Sequence, residues 1–213
     1  MAKFSSAILL EVHYLPSIAY FSALSGAERI IFERHENFVK QTFRNRCYIN
    51  TEHGRHMLTV PVRLPGSKVL ITDVKIDYGQ NWMNHQWRTI QSAYGKAPFF
   101  EYYSDDLHDK LFRRHKFLYD LNFNLLTLCL RWLRWNMAVE ESLSYEKIPK
   151  EDIYDLRSFL TPRNADNAAR IHQPVPYHQV FGNSFAGNLS LIDLIFCSGP
   201  EAGRIVQSSR RAG

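Results

Sequence analysis

The stretch from residue 7 to residue 32 constrains the fold more than any other. "AILLEVHY", residues 7–14, is a short apolar run with a polar interruption, read as a buried strand. Pro16 ends it, because proline has no N–H to give to a sheet. Ser17 then caps a short helix, "IAYFSALSGA", which Gly26 closes, and "ERIIF" follows as a second strand. A strand, a helix and a strand within about thirty residues have the size of a crossover unit, whose strands are parallel neighbours.

The next segments change the strand direction. "RCYIN" and "RHMLTVPVR" flank "TEHG", whose glycine suits a hairpin turn, so an antiparallel pair is expected. "SKVLITDVKID" alternates apolar and polar side chains in the manner of a further strand. The expected class is α/β, a single domain over 1–213 with a mixed sheet packed against several helices.

Helical spacing takes over downstream. From Asn81 to Lys96 an apolar stripe of Trp82, Ile90, Ala93 and Tyr94 predicts a helix that stops before Pro98, and Ser104 is placed to cap the next one. Leu118, Leu121, Leu125, Leu128 and Trp132 recur every three or four residues, predicting one long helix within 115–135. Residues 149–176 carry Pro149, Pro162, Pro174 and Pro176 and read as a loop. Ser190 with Asp193, and Ser198 with Glu201, have capping-box spacing and predict two closing helices, with Pro200 in a first turn.

Composition excludes several classes. Three cysteines, Cys47, Cys129 and Cys197, lie far apart without a CxxC pair, so neither a disulfide framework nor a cysteine zinc site is expected, and a reducing cytoplasm fits. Glu11 and His13 interrupt the first apolar run before a secretory leader could be completed. Asp120, Asn122, Asn124, Arg131 and Arg134 break the most apolar helix, so membrane insertion is not expected. The formal charge of +5 comes from 26 basic and 21 acidic residues, and much of the excess sits in the C-terminal stretch "GRIVQSSRRAG", read as a tail. Without a concentrated basic stripe or a reading module, a small anionic ligand suits the chain better than a nucleic acid. The protein is expected to fold alone or as an oligomer of whole subunits.

No phosphate loop, GxGxxG, GxSxG or HExxH is present, and the residues specify no cofactor. His53 and His56 flank the predicted turn without an acidic or cysteine ligand at a useful spacing, so a metal site is not expected there. Chemistry therefore rests on weaker constellations. "HENFVKQTFRNRCYI", residues 35–49, gathers His35, Lys40, Arg44, Asn45 and Arg46 before a strand; arginine forks with a lysine beside them match phosphate or carboxylate, and the same charge run also describes a solvated loop. "IDYGQNWMNHQW" places Asp77 at a strand end and His85 one turn after Trp82 near a helix start. His85 there is either a proton-transfer group or a histidine bonded to backbone, and Asp77 either its partner or a helix cap. Tyr177 and His178 either complete a pocket or dock the proline-rich loop.

"YLPSIAYF", "KQTFRNRCYI", "LTVPV", "ITDVKIDYGQNW", "YGKAPFFEYY", "FLYDLN" and "NLSLIDLIFCSGPE" together resemble the WbqC-like family, in the same order and over nearly the whole chain. The resemblance implies a bacterial protein associated with O-antigen and other surface-polysaccharide assembly, and it supplies that context without a reaction. Members often carry His-Gln-Pro just before the Tyr-Leu-Pro; the aligned residues here are Leu10, Glu11 and Val12, and the resemblance carries no role over to His13. A histidine in that turn is similar to the entry of nucleotidyltransferase-type folds, where the imidazole stabilises charge on phosphate. Lys40, Asn45, Arg46, Asp77, Trp82, His85 and Asp193 occupy family-like positions, which favours a site over solvation.

The expectation is thus a transferase-type enzyme handling a nucleotide-linked sugar or activated acyl donor. Lys40, Arg44, Asn45, Arg46, Trp82, Tyr14 and Asp193 would hold the substrate, His35 or His85 would transfer the proton, and Asp77 would orient it. A non-catalytic binding or scaffold protein of the same pathway is the competing expectation.

Overall fold

Every residue of the first strand, β1 (Ala7–Glu11), is buried, as a strand covered on both faces must be. The structure, a computed structural model, describes residues 7–182 and 184–211. Helix α1 (Ile18–Leu24) follows, its first turn closed by the Ser17 hydroxyl accepting from the Tyr20 N–H at 3.3 Å. β2 (Arg29–Glu33) then pairs with β1 in parallel, Ala7 opposite Arg29 and Glu11 opposite Glu33. The expected crossover unit is present, and Gly26 provides the left-handed backbone after the helix at φ +83°.

Two strands that carry little sequence signal complete the parallel sheet. β7 (Ala138–Glu141) pairs with β2 and β8 (Ile153–Asp155) with β1, giving the order β7-β2-β1-β8. The chain builds outward from β1 to β2 and β7, then returns to the other side of β1. The point of reversal lies between β1 and β8, and in open parallel sheets the crevice beyond the strand ends at such a point is where ligands bind.

The antiparallel part of the expectation is also present, in sheets of its own. β3 (Arg46–Thr51) and β4 (Gly54–Thr59) form a hairpin about Glu52 and His53, with Gly54 at φ +88°, and β5 (Val62–Arg63) pairs with β6 (Lys75–Ile76).

Residues 67–77, read as one strand, divide into a 3-10 turn at Ile71–Asp73 and the two residues of β6. The reason is spacing: Ile71, Val74 and Ile76 are buried whereas Leu70 is exposed, so the apolar side chains follow a helical turn before the extended pair.

Helices α2 (Trp82–Tyr94) and α4 (Leu118–Trp132) lie where periodicity predicts them, and α3 (Phe100–Phe112) lies between them. Ser104 does not cap α3; it is buried inside that helix, which starts directly after Pro98 and Phe99. The proline-rich loop contains β8 and the short α5 (Ala165–Ile171). The C-terminal stretch is no tail over its described length: α6 (Leu191–Ser198), a 3-10 turn at Gly199–Glu201 and α7 (Ala202–Ser208) pack with Val206 fully buried. One hydrophobic cluster joins the parallel sheet, the β3–β4 hairpin and helices α1, α2, α3, α4, α6 and α7.

Candidate active site

β1 ends with Glu11, a residue only 1% exposed at the carboxyl edge of the sheet. A carboxylate in such a place needs positive charge and hydrogen-bond donors, and the fold brings them from three distant segments. His13 Nε2 lies 3.1 Å from Oε1, Arg44 Nη1 lies 3.5 Å from the same oxygen, and the Ser158 N–H donates to Oε2 at 2.8 Å. Burial alone would raise the carboxyl; the His13 bond, the Arg44 charge and the Ser158 N–H outweigh it and hold the group at about 2.

Arg44 is fully buried. Its guanidinium donates to both oxygens of Glu36, Nε at 2.7 Å and Nη2 at 2.6 Å, and Nη2 also reaches the Ser158 hydroxyl at 3.2 Å. Its carbonyl accepts from Asn122 Nδ2 of α4 at 2.7 Å, which fixes the loop to the long helix. This is fork-to-carboxylate geometry in a dry setting, where losing one partner costs about 3–5 kcal/mol. Arg44 thus holds Glu11, Glu36 and residue 158 together, and its charge is taken up inside the protein. The loop from Phe38 to Arg44 presents Lys40 to solvent and turns Arg44 inward.

A second cluster adjoins along the same edge. Glu33, at the end of β2, accepts from the His35 N–H at 2.8 Å, the Ser142 hydroxyl at 2.6 Å and Arg157 Nη1 at 2.9 Å. Arg157 also grips Asp155, so the ends of β2 and β8 are joined across β1. Both carboxylate oxygens of Glu33 have donors, which makes this cluster a clasp on the strand ends.

His13 differs, because one of its nitrogens is left over. Glu11 is ionised and can only accept, so Nε2 carries the proton and Nδ1 has the lone pair. Burial lowers the imidazole's affinity for a proton despite Glu11, leaving it neutral near pH 7. Nδ1 is buried without a hydrogen-bond partner. The ring packs against Tyr20 at 4.7 Å and Phe43 at 5.4 Å between centroids. Phe43 in turn lines a small cavity with Tyr14, Pro16, Tyr48, Asn188 and Ser190. A neutral imidazole oriented by a carboxylate, with the opposite nitrogen unpaired, is the arrangement that a general base requires.

The residues singled out from the sequence divide among several settings. Arg44, Asn45, Arg46 and Tyr14 adjoin this edge: the Tyr14 N–H donates to the Phe43 carbonyl at 2.9 Å, its hydroxyl donates to Gln86 Oε1 at 2.6 Å, and Asn45 Nδ2 donates to the Val60 carbonyl. Arg44, expected to hold substrate, is instead enclosed by the carboxylates of Glu11 and Glu36. His35 Nε2 lies 3.0 Å from the Ser142 carbonyl, so both its ring and its backbone serve the strand-end clasp. His85 is exposed on α2. Asp77, expected to orient it, is instead bonded to Arg63 at 2.7 Å and the Gly79 N–H at 2.9 Å, and the Arg63 bond holds its carboxyl below the usual range.

Trp82 is buried, stacked on Tyr78 at 6.0 Å, with Nε1 unpartnered. Asp193 belongs to a separate buried network, accepting from Tyr94 at 2.7 Å, Gln179 at 3.0 Å and the Tyr177 hydroxyl. Tyr177 therefore docks the segment before α6.

Glu11, His13, Glu36 and Ser158 are the members that sequence reasoning missed. A signal existed in "EVH": an acid and an imidazole two residues apart at the end of an otherwise apolar strand have to find partners. Among the described residues no group of acids, histidines and cysteines is arranged to hold a metal ion, and no helix is long and apolar enough to cross a membrane.

A parallel sheet, separate antiparallel hairpins and packed helices define an α/β protein, and its buried charged cluster lies at the strand ends beside the reversal point. The model of the WbqC-like protein family matches residues 12–160, and the chain belongs to that family. The matched span includes His13, Glu36, Arg44 and Ser158. No curated protein and no solved structure matches the chain.

Proposed function

We propose that the chain is a transferase-type enzyme acting on a phosphate-bearing donor, a nucleotide-linked sugar or an activated acyl group, in bacterial surface-polysaccharide biosynthesis. The observation that carries this reading is the buried His13–Glu11 pair at the reversal point of the parallel sheet, with His13 Nδ1 unpaired. In the reaction, His13 Nδ1 takes the proton from the acceptor's hydroxyl or amine as that group bonds to the donor's transferred carbon; the bond from that carbon to the phosphate-bearing leaving group breaks, its electron pair departs with the leaving group, and Glu11 stabilises the imidazolium through Nε2–H. Arg44 is a positioning residue, holding Glu11 against His13. Lys40 and Arg46, cations without a carboxylate partner among the described residues, receive the donor's phosphate; Tyr14 and Phe43 form the wall between the cavity and the imidazole. His35, His85 and Asp77 carry no step, since their contacts lie elsewhere.

The competing reading, a ligand-binding protein without turnover, is favoured by the 1% exposure of His13, which a substrate reaches only if Phe43 swings aside. One assay separates them: purified protein is incubated with a panel of nucleotide sugars and acyl donors together with hydroxyl and amine acceptors, and both product and melting temperature are followed. Product formation that His13→Gln reduces about a hundredfold or more supports the enzyme. A ligand-induced rise in melting temperature with no product supports the binder.

A further inference from the structure

Arg46 opens β3 and stands directly opposite Thr59, the last residue of β4, on one face of the hairpin. Arg46 Nε and Thr59 Oγ1 are both inaccessible to solvent and both lack a hydrogen-bond partner. Two donors side by side with nothing to receive them are costly in a finished fold, where buried polar groups are otherwise paired. Among the described residues Arg46 also has no carboxylate within ion-pairing distance, although Arg44 two residues earlier has two. Gln86 of α2 contacts the same end of the hairpin: its Nε2 donates to the Thr59 carbonyl at 2.7 Å while its Oε1 accepts from Tyr14.

The same strand face carries Tyr48, two residues beyond Arg46, with the Arg55 guanidinium 4.1 Å above its ring. Tyr48 and Tyr14 line the cavity that Phe43 separates from His13. The hairpin face therefore offers a guanidinium edge, a hydroxyl and a second cation stacked on an aromatic ring, leading to the wall in front of the imidazole.

We infer that Arg46 and Thr59 form a phosphate subsite, with the Arg46 guanidinium and the Thr59 hydroxyl donating to one tetrahedral oxyanion on the hairpin face. The inference rests on the proposed phosphate-bearing donor and specifies where that donor's phosphate sits. Arginine supplies the fork and the fixed charge, and threonine supplies a donor whose hydrogen turns to suit the anion. A carboxylate could meet the same two donors, so acetate is the comparison ligand.

The test is titration calorimetry of the full chain with pyrophosphate, with uridine diphosphate and with acetate. Wild type binds the two phosphate ligands and not acetate. Arg46→Gln and Thr59→Val each weaken pyrophosphate about tenfold, the loss of one charge-assisted bond. Thr59→Ser keeps the hydroxyl and the affinity, and Arg204→Gln, which removes an exposed cation on α7, changes nothing. Pyrophosphate binding that Arg46→Gln leaves intact, or acetate binding as tight as pyrophosphate, overturns the subsite. Loss of pyrophosphate in Arg46→Gln, with no donor turned over by wild type, keeps the subsite and removes the transferase reading. Turnover by wild type with unaltered pyrophosphate affinity in Arg46→Gln does the reverse.

Discussion

Lowering the pH from about 7 to about 5 is expected to destabilise this protein in part through His172, by an amount that one variant isolates. The residue follows α5 and is 4% exposed; its Nδ1 lies 2.9 Å from the Ser22 hydroxyl of α1, and its Nε2 is buried with no partner. Neighbouring groups offer it no carboxylate: it faces Ser22, the Ser209 backbone beyond α7 and, across an isolated bridge, Arg210. Burial pushes the imidazole from 6.5 down to about 4, with only the nearby Ser209 backbone opposing.

Because the folded value lies below the unfolded one, the unfolded chain binds the extra proton between pH 6.5 and about 4. The stabilisation is complete above that window and is lost as the pH falls through it. At about 1.4 kcal/mol per pH unit, the loss amounts to about 2 kcal/mol by pH 5 and about 3 kcal/mol below pH 4.

Urea denaturation at the two pH values measures it, with His172→Gln as the non-titrating comparison. Wild type should lose about 2 kcal/mol more than the variant between pH 7 and pH 5, at an unchanged denaturant slope. His13 shifts in the same direction but is present in both proteins, so it cancels. Equal losses in the two proteins would show that His172 is not held neutral by its surroundings, and the account of the α1, α5 and α7 junction would fall with it.

Two further outcomes follow from the same coordinates. Glu11→Gln should lower stability at neutral pH by about 3 kcal/mol, since the carboxyl is held at about 2 rather than 4.5. That contribution is present above pH 4.5 and disappears as the pH falls toward 2, so wild type and variant should converge in acid when followed by circular dichroism. Gly199→Ala should cost more than about 1 kcal/mol by thermal unfolding, because the residue has φ +51° and a Cβ would lie within 2.5 Å of the Phe99 ring; a wild-type melting temperature would contradict this.

The parts of the fold that were legible in the sequence are those whose apolar spacing is long or whose caps are local. α4 shows its stripe over fifteen residues, and Ser17 announces α1 within three. β7 and β8 were not legible, because four and three residues cannot establish a period and "AVEE" and "IYD" are half polar. The site was half visible for a related reason. The segment 40–46 drew attention by its charges, yet which arginine turns inward depends on Glu11 and Ser158, which lie 33 residues before and 114 residues after Arg44. Neither His85 nor Asp77 could be excluded by spacing, since only the third dimension shows Arg63 reaching Asp77 first.

The Arg44 junction also sets an order of events during translation. Glu11 leaves the ribosome early, while the Ser158 N–H that completes its shell is made 147 residues later. Synthesis proceeds at roughly 5–20 residues per second, so the first strand waits for several seconds with a charged end that lacks its last donor. The nascent β1–α1–β2 unit can therefore collapse, but its charged edge is completed only when β8 and Ser158 arrive, and a growing chain too short to include them leaves the Glu11–His13 pair without that donor.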